Sequence, residues 1–164
     1  MKKHLIAVAA ALTLGGLGAS TTASANEIRL FATATFGDSK FGFADAAYGW
    51  ASGNNIFSLG ASMQVSGAGD DSEFNFGVNG GYTYLFNPEG STGFVEGRVG
   101  TFDISEFSDS AFYEASVGYR WYVSDRASVG WNVIGWEQRK FASIDGSDWD
   151  GNAFTRLQLI IALD

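Results

Sequence analysis

Five charged residues, Glu96, Arg98, Glu114, Arg120 and Arg156, fall inside stretches of alternating apolar and small residues, away from any turn. Carboxylates and guanidiniums so placed can pair as a plug or line a narrow gated pore. A second group, Asp145, Asp148, Asp150 and Asn152, surrounds Trp149. Asp148-x-Asp150-x-Asn152 has the one-three-five oxygen spacing of a calcium loop, but Ala153 stands where that loop needs glycine and no glutamate follows at the twelfth position. The run reads first as a solvated acidic loop and second as a cation site. Two further acidic patches, Asp70-Asp71-x-Glu73 and Asp103/Glu106/Asp109, also read as loops. Gly67-Ala68-Gly69 is a turn signal without the basic residue or helix start of a phosphate loop.

Other chemistry is excluded by residue type. There is no cysteine, so disulfides, thiolate metal sites and cysteine nucleophiles are absent. The single histidine is His4, within a stretch that reads as a secretion signal. Lys2 and Lys3 form its positive start, Leu5 to Leu17 its apolar run, and Ala23-Ser24-Ala25 its cleavage pattern. A cleaved signal peptide over 1–25 is expected, leaving a barrel domain over 26–164 without histidine. Serines then have no base to activate them, so neither an enzyme, a metal site nor a cofactor is expected. The formal charge of −8 argues against nucleic acid as a partner, since phosphate contacts need clustered Lys and Arg.

The elements that position these groups are strands. Period-two alternation recurs, as in Phe57, Leu59, Ala61, Met63 and Val65, or Tyr113, Ala115, Val117, Tyr119, Trp121 and Val123. It predicts an all-β chain of eight strands, over 28–36, 41–50, 55–66, 73–86, 92–102, 110–123, 127–141 and 152–163. Connections after the second, fourth and sixth strands are compact, and Asn87-Pro88-Glu89-Gly90 carries strong turn chemistry. Those after the third, fifth and seventh, 67–72, 103–109 and 142–151, are longer and acidic. Short turns alternating with longer loops fit an antiparallel up-and-down transmembrane barrel.

The rival is a soluble periplasmic lipocalin-like carrier, whose apolar face would line a cavity. Here the polar face is rich in Gly, Ser, Asn and Thr and poor in Lys, unlike a water-facing surface. Tyr48, Trp50, Tyr82, Tyr84, Phe86, Tyr119 and Trp121 lie beside the short turns, as in an aromatic girdle. Phe102, Phe107, Phe141 and Trp149, near the loop bases, suggest a second girdle or a host-contact surface.

With a leader, eight alternating strands and segments such as Val117-Gly118-Tyr119-Arg120-Trp121-Tyr122, the chain resembles the small outer-membrane β-barrels of Gram-negative bacteria. That group includes the OmpA transmembrane domain and the OmpX/Ail proteins. The resemblance implies a bacterial outer-membrane location and contact with membrane lipid and lipopolysaccharide. It also implies passage through the barrel-assembly machinery and a structural or surface-interaction role, with the acidic loops open to a host or surface ligand. One feature departs from it: such chains usually end in an aromatic residue, and this one ends Ile160-Ile161-Ala162-Leu163-Asp164.

Eight strands enclose a lumen just wide enough for side chains. Charges inside must pair, because an unpaired buried charge is costly. A hairpin centred near Glu106 sets Arg98 opposite Glu114, with Glu96 and Arg120 within two rows. The five charges are expected to plug the lumen. A narrow gated channel is the alternative.

Overall fold

The structure is a computed structural model that describes residues 26–35, 39–68, 73–107, 109–143 and 146–163. The expected leader lies outside the described residues, as do Asp70, Asp71, Asp145 and Asp164.

Eight antiparallel strands close into a barrel: β1 (Glu27–Thr35), β2 (Ser39–Ser52), β3 (Asn55–Ala68), β4 (Glu73–Leu85), β5 (Thr92–Thr101), β6 (Ala111–Ser124), β7 (Ala127–Ser143) and β8 (Gly146–Ala162). Each pairs with its sequence neighbours, and β8 returns to β1, so the all-β, eight-stranded antiparallel reading holds. Alternation sets the faces. On β5, Thr92, Phe94, Glu96 and Arg98 turn inward, while Val95 and Val99 turn out. On β6, Phe112, Glu114, Ser116 and Arg120 turn inward, and Tyr113, Val117, Tyr119 and Trp121 turn out.

The β2–β3 turn depends on Gly53, whose φ of 57° lies in the left-handed region that favours glycine. In the β4–β5 turn, Asn87 Oδ1 accepts from the Glu89 amide at 3.1 Å, and Thr92 Oγ1 accepts from the Asn87 amide at 2.8 Å. Asp103 organises the start of the β5–β6 loop, accepting from the Ser105 hydroxyl at 2.6 Å and its amide at 2.8 Å. Those bonds hold its carboxyl below the usual carboxylate range.

The last strand corrects the sequence reading. β8 begins at Gly146, not at 152, and β7 runs on to Ser143. The expected loop over 142–151 is instead a long hairpin, paired up to Ser143↔Gly146. Gly, Ser and Asp give this stretch a loop composition. The ladder with β7 supplies its backbone hydrogen bonds regardless, and tertiary pairing overrides a weak strand preference.

A bulge in β7 has larger consequences. Val133 and Ile134 both lie opposite Thr155, and both are exposed on the outer wall. Before the bulge, Ser128, Gly130 and Asn132 face inward. After it, Gly135 and Glu137 do. One extra residue thus flips the phase of the strand.

Candidate functional site

The lumen is the candidate site. Among the described residues it holds five carboxylates, Glu27, Asp45, Glu96, Glu114 and Glu137, and five guanidiniums, Arg29, Arg98, Arg120, Arg139 and Arg156. All but Arg139 are at most 8% exposed. Buried carboxylates are therefore set against guanidiniums rather than against solvent, as burial requires.

Toward the short turns, Glu27, Arg29, Glu96 and Arg120 form one group. Arg29 bonds Glu27 at 2.5 Å and Glu96 at 2.6 Å, and it reaches Thr83 Oγ1 at 2.8 Å. Arg120 Nη1 lies 2.8 Å from Glu27 Oε2, and its Nε donates to Ser128 at 2.9 Å. Asn132 and Gln158 complete the shell of Glu96 Oε1, donating at 3.3 and 3.2 Å. Asn132 also donates to Ser116 Oγ and accepts from Gln158, each at 2.6 Å.

The second group joins Asp45, Arg98, Glu114 and Arg156. Arg98 faces Glu114 in the β5–β6 register, with Nη1 3.5 Å from Oε2. Each has a closer partner elsewhere. Arg98 bonds Asp45 on β2 at 2.8 Å, and Glu114 takes two bonds from Arg156 on β8, at 2.9 and 2.8 Å. The predicted register holds, but facing in register does not make Arg98 and Glu114 each other's nearest partner. In so narrow a barrel, a long side chain meets residues across the lumen more closely than its ladder neighbour. Beyond this group, Glu137 faces Glu114 in register and pairs with Arg139.

Apolar layers bracket the ions. Ile56, Leu85 and Phe94, with Ala51 and Tyr122 against them, fill the short-turn end. Phe31, Phe43, Phe102 and Phe112 fill the other. Phe102 is thus inside, not on a girdle, and stacks on Phe112 with centroids 4.4 Å apart. The guanidiniums of Arg98 and Arg156 lie 4.6 and 4.3 Å from the Phe31 ring centroid.

The structure places Glu96 and Arg120 in the first group and Arg98, Glu114 and Arg156 in the second. The sequence reading missed Glu27, Arg29, Asp45, Glu137 and Arg139. Period two puts Arg29 on the same face as Thr33 and Thr35, so it was recoverable. Asp45 was hidden because β2 alternates weakly, with Phe43, Asp45, Ala47 and Gly49 all turned inward. Glu137 was hidden by the bulge.

Of the acidic run, Asp148, Asp150 and Asn152 lie at alternate positions of β8, opposite Phe141, Arg139 and Glu137. Asp145 lies outside the described residues. Among the described residues, no cluster of three or more His, Cys, Asp or Glu could hold a metal ion.

No family model, curated protein or solved structure matches the chain.

The outer wall inverts the pattern of the lumen. Leu59, Phe74, Phe76, Val99 and Ile134 are each 59–61% exposed. Rings cluster at the short-turn end, with Tyr48–Trp50 and Tyr119–Trp121 centroids 4.9 and 4.8 Å apart. Tyr113 and Trp149 meet near the other end, at 5.3 Å. A crevice of about 560 Å³ also lies on this wall, where Gly97 and Ala115 sit in one register row between Tyr82 and Trp136.

Proposed function

We propose that the chain is a small integral outer-membrane β-barrel protein of a Gram-negative bacterium, with a structural or surface-interaction role and a lumen plugged by ion pairs. One observation carries this reading: apolar side chains cover the outside of the barrel, and ten ionic groups fill its inside. A barrel in water has the opposite polarity, because burying large apolar residues drives its folding. A barrel in lipid needs the pattern seen here. Aromatic rings near both ends agree with the two interfaces of a bilayer.

The role follows from what the lumen lacks room for. Apolar layers close it on both sides of the ions, which favours a plug over a channel, and an ionic interior suits no apolar cargo. No catalytic role is proposed, since neither histidine nor cysteine follows Ala25. Lipid and lipopolysaccharide would contact the wall, and the barrel-assembly machinery would insert it. The β7–β8 hairpin, with Trp149, Asp150 and Asn152 exposed, is the surface offered to an external ligand. In these respects the chain would act as the OmpA and OmpX/Ail barrels do.

Fractionation with gel migration before and after boiling tests the reading. The expected result is recovery in the outer-membrane fraction, cleavage after Ala25, and a folded band that shifts only on boiling in SDS. Recovery as a soluble periplasmic protein would overturn it.

A further inference from the structure

Among the described residues, the strand pairing that closes the barrel is its shortest. β1 and β8 share four pairs, from Glu27↔Ala162 to Leu30↔Leu159, whereas the next shortest ladder, β4–β5, has eight. Both strands continue past that point. β1 runs on to Thr35, pairing with β2 alone, and β8 extends back to Gly146, pairing with β7 alone. Continuing the same register would pair Phe31 with Gln158 and Ala32 with Leu157, but the ladder stops. Along this stretch the two strand edges continue without a ladder between them, and unpaired backbone groups are costly in any water-poor setting.

Side chains hold this stretch instead. Arg156 of β8 lies over Phe31 of β1, 4.3 Å from its centroid. Glu114 fixes Arg156 from β6 with two hydrogen bonds, and Phe31 leans on Phe43 of β2 with centroids 5.6 Å apart. A stack of this kind resists separation less than a ladder and yields as a unit. We propose that the β1–β8 seam is a latched lateral opening. The Glu27–Leu30 pairing is its hinge and Arg156 on Phe31 its latch. Parting them opens the wall between Phe31–Thr35 and Phe154–Gln158, exposing the ionic lumen to whatever surrounds the barrel. The inference concerns the wall alone and does not rest on the cellular location.

The chain has no cysteine, so paired cysteines report the seam directly. In detergent-folded protein, the pair Leu30→Cys with Leu159→Cys sits on the hinge, and Ala32→Cys with Leu157→Cys spans the unpaired stretch. Disulfides form only when Cα atoms come within roughly 7 Å. The second pair should oxidise on the order of tenfold more slowly than the first. Phe31→Leu, which keeps apolar bulk but removes the ring, should slow the second pair further and leave the first unchanged. In the unsubstituted protein, the amides of Ala32 and Leu157 should exchange hydrogen faster than those of Ile28 and Ala61. Equal oxidation rates, a second-pair rate that Phe31→Leu does not lower, or equal amide protection would each overturn the proposal.

Discussion

Arg156 on β8 and Glu114 on β6 are not ladder neighbours, yet two hydrogen bonds of 2.9 and 2.8 Å join them across the lumen. This fork outranks the single 3.5 Å approach of Arg98 to the same carboxylate. Glu114→Gln should therefore lower the unfolding free energy by about 3–5 kcal/mol, as for a broken buried pair, and with it the urea midpoint. Adding Arg156→Gln should cost less than the sum of the single changes, and adding Arg98→Gln should show weaker coupling. Strict additivity with Arg156→Gln would mean that the two are not partners.

Val117 and Ser116 are adjacent and point in opposite directions. Val117 is 47% exposed on the wall, while Ser116 is buried and accepts from Asn132 at 2.6 Å. Val117→Arg should block assembly, since arginine near the middle of a lipid-facing strand costs about 2–4 kcal/mol. Ser116→Ala should cost about 1 kcal/mol, the worth of one hydrogen bond. Comparable yields of the heat-modifiable band would invert the two faces.

Deleting Ile134 should remove the β7 bulge without turning any neighbour over: Asn132, Gly135 and Glu137 would stay inward, and Val133 and Trp136 outward. The folded band should therefore persist. Loss of the folded band would show that Ile134 is not the extra residue that keeps the two halves of the strand in phase.

Two glycines separate close approach from open space. A Cβ on Gly77 would overlap the Thr101 carbonyl and crowd Ser62 Oγ. On Gly97 it would meet only the Glu114 carbonyl, at 3.8 Å. Gly77→Ala should destabilise by about 1–3 kcal/mol, as overpacking does. Gly97→Ala should be neutral or stabilise by up to about 1 kcal/mol, since glycine is the poorer strand residue. Thermal or urea unfolding that ranks them the other way would count against the packing of β4 on β5.

The apolar layers should keep the lumen shut. In planar bilayers the protein should conduct rarely, with Ile56, Leu85 and Phe94 blocking one end and four phenylalanines the other. Steady large conductance would show an open pore and return the channel reading to first place.

What the sequence determined by itself is local. Alternation of side chains follows from strand geometry, so the strand count and most faces were legible without coordinates, down to Val117 outward and Glu114 inward. Turn chemistry at Asn87-Pro88-Glu89-Gly90 is local as well, and the β5–β6 register that sets Arg98 beside Glu114 followed from centring one hairpin near Glu106. Closure decided the rest. Only a closed barrel brings β2 to β5 and β6 to β8 across the lumen, which is why Asp45 and Arg156 became the nearer partners of Arg98 and Glu114. Only pairing with β8 reveals that Val133 and Ile134 share one opposite residue, and with it the inward turn of Glu137. The hairpin over 142–151 is strand for the same reason. Its residues favour a loop by composition, and the hydrogen bonds that override them come from a neighbouring strand that local pattern cannot register.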